Sequence, residues 1–223
     1  MAVLPAGIKQ LPNGIYYCPR ASMRSDIEYM DEHFIRLGNK TELKWLPHRP
    51  NIQIPAFPDT VHIVGKGPSL DKITAIDLNG EWPVLCINES IHKIAGLGLL
   101  NDLYTIQQDL ALKQRCVNPK SKLFANVFCC GMLQDKAQYY RPEDLGLSNG
   151  SLSVLVAMSI AKLGGATDAM LWAFDGAKTG TEIGYAKCIG TDPKWGGNPI
   201  RFAKHKEIIV AHSEQIGLNV IFM

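Results

Sequence analysis

The sequence predicts an α/β protein built on a doubly wound, mostly parallel sheet, Rossmann-like, with helices on both faces and a small N-terminal extension. Three observations predict it. Short apolar, β-branched runs recur from residue 61 onward: VHIVG (61–65), PVLCIN (83–88), LYTIQ (103–107), KLFANVF (122–128), AMLWAF (169–174) and LNVIF (218–222). Runs of that length and composition read as strands buried on both faces. Helical segments separate several of them, and strands alternating with helices imply parallel crossovers. Glycines or polar residues follow the first, second, third and fifth runs, at the sheet edge where such folds bind ligands.

The extension comes first in the chain. Pro5, Pro12, Pro19, Pro47, Pro50, Pro55 and Pro58 place seven of the thirteen prolines in residues 1–60. Proline lacks a ladder donor and fixes φ, so this stretch should supply no central strand. Residues 22–37 carry Met23, Ile27, Met30 and Phe34 at helical spacing with Gly38 as a stop, which predicts one helix. We therefore divide the chain into an N-terminal cap, 1–60, and a main domain, 61–223.

Within the second part the best helix is 151–163, SLSVLVAMSIAKL. Its stripe is Leu152, Leu155, Val156, Ile160 and Leu163, its cap Ser148 or Asn149, and its stop Gly164–Gly165. Residues 202–216 read as a second helix with Phe202, His205, Ile209, His212 and Ile216 on one face.

Composition narrows the function. The chain has 223 residues, is 46% hydrophobic and 20% charged, and carries a formal net charge of +2. Those values exclude a largely disordered chain and give no overall basic field that would demand nucleic acid or membrane. A local basic patch from Arg20, Arg24, Lys44 and Arg49 stays open. The six cysteines form no CxxC pair, which reads as reduced thiols packed in a core. No basic start followed by a long apolar core suggests a signal peptide, and no apolar run approaches the ~20 residues of a membrane helix. A soluble, cytoplasmic protein is expected.

The strand ends carry the chemistry. Gly65-Lys66-Gly67-Pro68-Ser69-Leu70-Asp71 follows the first strong strand. Gly65 and Gly67 permit a tight turn and a close approach of backbone to ligand. Pro68 suits a first helical position, and Ser69 with the unpaired N–H groups of the turn would favour an anion. The loop reads either as a phosphate cradle or as an ordinary strand–turn–helix. It is no Walker loop, and Leu70 stands where a dinucleotide fingerprint needs its third glycine. Asn88, ending the second strand, can bind a ribose hydroxyl or a base edge, or cap the next helix. Gln107, Gln108 and Asp109 end the third strand. Ser148, Asn149, Gly150 and Ser151 open the best helix, as an anion site or as simple caps. Asp175 follows the strand at 169–174 and could bind ribose or a metal, orient a catalytic partner, or make an Asp-Gly turn.

The segment 176–200, with Tyr185, Trp195, Lys178, Lys187 and Lys194, has the length of a lid. Of the two histidines on the last helix, His205 is expected in its first turn at the ligand edge, suited to proton transfer. His212 lies about 10 Å further along at 1.5 Å per residue, and is expected to be structural.

Taken together, VHIVGKGPSLD, VLCIN, LSNGSLSVLVAMSIAKLGGATDAMLWAFDG and a histidine ahead of a final strand resemble one Rossmann-like superfamily over residues 61–223. It groups the metal-independent bacterial sialyltransferases with the DUF115 proteins, among them archaeal hydroxymethylpterin pyrophosphokinases and phage proteins. The resemblance implies a nucleotide-activated donor. Lys66 replaces the polar residue between the sialyltransferase glycines. Asn88, Gln108, Ser148-Asn149-Gly150 with Ser151, Asp175 and His205 take the positions of the donor-binding and catalytic residues. Tyr185 is the nearest match to the tyrosines that hold the leaving phosphate.

The implied activity is transfer of a sugar from a CMP- or UDP-linked nucleotide-sugar donor to an acceptor hydroxyl, with His205 as base or acid. The acceptor is a glycan, a small molecule or a modified nucleic acid, and a homo-oligomer is left open. The alternatives are an ATP- and Mg-dependent pyrophosphokinase, its metal held by Asp109 and Asp175, and a non-catalytic nucleotide-binding accessory protein.

Overall fold

The computed structural model describes residues 8–10, 16–18, 30, 35–37, 43–46, 52–78, 80–108, 121–126, 137–148, 152–175, 185–189 and 199–223. Two sheets are seen. Strands β1 (Lys9–Gln10), β2 (Tyr16–Cys18), β3 (Ile35–Leu37) and β4 (Leu43–Leu46) form a small antiparallel sheet in the order β1-β2-β4-β3. The proline-rich stretch thus makes strands, and among the described residues before Thr60 these pair only with one another. The helix expected over 22–37 ends before residue 35: Ile35, Arg36 and Leu37 pair with Leu46, Trp45 and Lys44. The alternating Ile-Arg-Leu triplet suits a strand, and cross-strand pairing overrides the helical spacing upstream. Met30 itself is helical and buried.

The second sheet has seven strands, all parallel: β5 (Thr60–Val64), β6 (Val84–Ile87), β7 (Leu103–Gln107), β8 (Lys122–Asn126), β9 (Ala137–Tyr140), β10 (Asp168–Trp172) and β11 (Asn219–Phe222). Their order is β11-β10-β5-β6-β7-β8-β9. The doubly wound class holds. Six of the strands lie where apolar runs predict them. The seventh, β9, has the sequence AQYY, too short and too polar a run to register as a strand.

Side chains alternate between the two faces, as the pleat requires. Val61, Ile63, Leu85, Ile87, Ile106 and Phe124 join one core, and Val64, Val84 and Cys86 the other. Helices α1 (Ser90–Ala95), α2 (Ser153–Leu163) and α3 (Pro199–Ile216) divide between them. Ile91 and Ile94 of α1, with Leu70 and Ile73, cover the second core. Val156 and Ile160 of α2 and Ile209 of α3 cover the first. Burial on both faces holds for β5 to β8; β10 alternates half-buried with buried residues and β11 exposed with half-buried ones, so one face of these two strands is less covered. Residues 52–58 run onto the first core, where Phe57 is buried and its N–H donates to Gly164 O at 2.8 Å.

Helix α2 departs from expectation at both ends. Its N-cap is Leu152, without a side-chain cap bond, and Ser148 lies exposed four residues ahead of it. Asn149, Gly150 and Ser151 lie outside the described residues. Residues 154–161 are buried all round, while Leu163 is exposed, because the helix is sandwiched between the sheet and α3. The stop is as expected, with Gly164 as C-cap and Gly165 at φ 105°.

Candidate functional site at the switch of the sheet

From β5 the chain adds β6 through β9 on one side, then returns to place β10 on the other side of β5. The connection after β5 covers one core, and α3, which follows β10, covers the other. The C-terminal ends of β5 and β10 therefore flank the topological switch point, the ligand crevice of open α/β sheets.

Gly65–Ser69 lies in that crevice. Gly65 N–H donates to Trp172 O at 2.8 Å and Gly67 N–H to Ala173 O at 2.9 Å. Pro68 opens a 3-10 turn, Pro68–Lys72, rather than an α-helix. The anion on this turn is the chain's own: Ser69 N–H donates to Asp175 Oδ2 at 3.0 Å. The two glycines thus permit close approach of a neighbouring strand end. A Cβ on Gly65 would lie 2.6 Å from Ala173 O, and one on Gly67 2.7 Å from the same atom.

Two non-glycine residues here adopt left-handed backbone, Asn88 at φ 50° and Ala173 at φ 58°. Each follows a strand, β6 or β10, that neighbours β5. Asparagine tolerates this region, whereas alanine is strained in it by about 1–2 kcal/mol. Strain of this kind collects at functional sites.

Lys66, between the glycines, reaches across to β6. Its Nζ lies 2.9 Å from Glu89 Oε2, with the two side chains 14% and 1% exposed. Tyr185 covers the same ammonium, its ring centroid 4.3 Å away. Sequence reasoning missed Glu89; a carboxylate directly after a strand-terminal asparagine was the available signal. Ser90 fixes the base of the crevice, its Oγ donating to Val64 O and Ile87 O.

A polar cluster continues onto β7. Gln108 N–H donates to Asn88 Oδ1 at 3.4 Å, and Ser153 Oγ to Gln108 Oε1 at 2.9 Å. Ser153, in the first turn of α2, was also missed, hidden among the serines of 148–153. Asp109 lies outside the described residues.

The far wall is residues 185–189. Ala186 N–H donates to Lys66 O, and Lys187 and Cys188 N–H donate to the Asp71 carboxylate at 2.8 and 2.9 Å. These bonds hold the Asp71 pKa below its ordinary value against the opposing effect of burial. Of the expected lid, 176–184 and 190–198 lie outside the described residues, and with them Lys178, Lys194 and Trp195.

The structure thus joins Gly65, Lys66, Gly67, Pro68, Ser69, Asn88, Gln108, Asp175 and Tyr185 at one rim. His205 lies on helix α3. Helix α3 starts at Pro199, three residues earlier than expected, so His205 sits about 9 Å along its axis and not in the first turn. It is half-buried, on the face that carries buried Ile209 and His212. His212 is structural, 3.1 Å from Ser159 Oγ, with its pKa lowered by burial.

Fold and strand ends together define a parallel α/β domain with a cluster of polar side chains at its switch point. No family model matches the chain, and no curated protein matches it. Among the described residues, no helix is long and apolar enough to cross a membrane.

Proposed function

We propose that the chain is a nucleotide-dependent transferase of the glycosyltransferase type, moving a sugar from a CMP- or UDP-linked donor to an acceptor hydroxyl. The observation that supports this reading is the convergence at the switch point of an ammonium, two amides and a carboxylate from segments far apart in sequence. Lys66 supplies the positive charge for a phosphoryl group. Asn88 and Gln108 present amide donors and acceptors to the nucleoside, and Asp175, oriented by Ser69, presents its second oxygen to a ribose hydroxyl. Tyr185 and Lys187, in the described stretch 185–189, line the side of the donor. The resemblance, and not the position of His205 on α3, gives this histidine the role of taking the acceptor proton or protonating the departing phosphate.

The test is a thermal-shift screen against CMP, UDP, GDP, ADP and their sugar conjugates. A ligand at 100 times its Kd adds about 2.7 kcal/mol to stability, which raises Tm by several degrees at this size. Binding with sugar turnover that survives EDTA supports the transferase. Turnover of ATP abolished by EDTA shifts the assignment to a pyrophosphokinase. Binding without turnover of any acceptor leaves a nucleotide-binding module.

A further inference from the structure

The Glu89 carboxylate is 1% exposed and satisfied on one side alone. Oε2 holds Lys66, while Oε1 is buried and has no hydrogen-bond partner among the described residues. A buried carboxylate oxygen left alone is costly, and native structures rarely retain one without a purpose. Glu89 is also the N-cap residue of α1 yet makes no side-chain cap bond, so helix capping does not account for it. Its partner Lys66 has one contact to Glu89 and one to the Tyr185 ring, and an ammonium carries three donors. The pair therefore holds one buried, unused acceptor beside one charged donor, at the C-terminal ends of β5 and β6.

We propose that Lys66 and Glu89 act as a two-point reader of a sugar phosphate: Lys66 Nζ donates to a phosphoryl oxygen, and Glu89 Oε1 accepts from a sugar hydroxyl next to it. This rests on the nucleotide reading above and adds the group that is recognised. A charged acceptor favours a ligand hydroxyl strongly and disfavours a bare anion, because Glu89 repels any phosphate that brings no donor. The pair thus selects phosphate esters of sugars over inorganic phosphates.

The experiment is calorimetric titration of the full chain at pH 8 with CMP, UDP and inorganic pyrophosphate. Three proteins are compared: wild type, Glu89→Gln, and Lys66→Met/Glu89→Met, in which both charges leave together and no buried ion is orphaned. Circular dichroism melts first establish that each is folded at the titration temperature. We expect Glu89→Gln to weaken CMP and UDP about tenfold or more while pyrophosphate binds as well as before or tighter. The double variant should lose all three probes by at least that factor. If Glu89→Gln leaves the ratio of nucleotide to pyrophosphate affinity unchanged, Glu89 reads no hydroxyl and this inference falls while the nucleotide reading stands. If the double variant binds like wild type, the pair is structural. If wild type binds none of the three, the nucleotide reading falls first and takes the inference with it.

Discussion

Asp175 Oδ2 lies 3.0 Å from the backbone nitrogen of Ser69, so a carboxylate from the end of β10 occupies the turn after β5. The donor that a glycine-rich turn would offer a phosphate is already bonded within the chain. A bound donor must then either use Asp175 where it stands or displace it.

These two uses differ in sign. With Asp175 in place as a hydroxyl acceptor, Asp175→Ala weakens CMP or UDP binding about tenfold, the worth of one charge-assisted hydrogen bond. Calorimetric titration measures it. Tighter binding of pyrophosphate by the variant would instead make the turn a phosphate cradle from which Asp175 is expelled.

The same contact fixes the glycines. Gly67→Ala puts a methyl 2.7 Å from Ala173 O and onto the Asp175 carboxylate, and backbone cannot yield as a flexible side chain can. We expect a loss of about 1–3 kcal/mol in urea unfolding, the usual cost of overpacking. Gly80→Ala is the control. A Cβ there meets nothing within 4 Å, so it should be neutral or slightly stabilising.

Acid sensitivity should begin above the carboxylate range. His62 is buried between Trp82 and Trp172, and Trp172 Nε1–H donates to its Nδ1 at 3.0 Å. Burial pushes its pKa from 6.5 down to about 4. Between those values the unfolded chain binds a proton that the folded chain refuses. Stability is therefore full above pH 6.5, declines as pH falls towards 4, and stops declining from this cause below 4. His212, lowered by burial as well, acts in the same direction. Melts between pH 7.5 and 4.5 should show Tm falling, and His62→Leu should flatten part of that slope. An unchanged Tm across the window would mean that His62 titrates normally in the fold.

Proton transfer by His205 is separable from donor binding. His205→Ala should cut sugar-transfer turnover by roughly 10²–10⁴-fold and leave CMP affinity nearly unchanged. Turnover at the wild-type level would remove the histidine from the reaction.

Much of this fold was legible because buried parallel strands are written as apolar runs, and LYTIQ and VLCI stand where they were read. Strand β9 was not, since AQYY gains its place by pairing with β8 and its Tyr140 by burial, neither of which leaves a local pattern. The site was legible as positions and not as partners. Glycines, amides and a carboxylate at strand ends mark an edge. Which carboxylate seats on which turn depends on β10 lying beside β5, a pairing between residues more than a hundred positions apart. Glu89 escaped notice for the same reason, because its partner Lys66 lies on another strand's turn.

Asp71 is the anchor of the wall that carries Tyr185. Its carboxylate accepts from the Lys187 and Cys188 amides, while the Ala186 amide is held independently by Lys66 O. Asp71→Ala should speed amide hydrogen exchange at Lys187 and Cys188 by about tenfold, the loss of roughly one kcal/mol or more of local stability. Ala186, bonded elsewhere, should change less. The Asp71 pKa is depressed in the fold, so its contribution is present above 3.8 and fades as pH falls through the lowered value. If exchange at all three amides is untouched by the substitution, the wall is held by contacts other than this carboxylate.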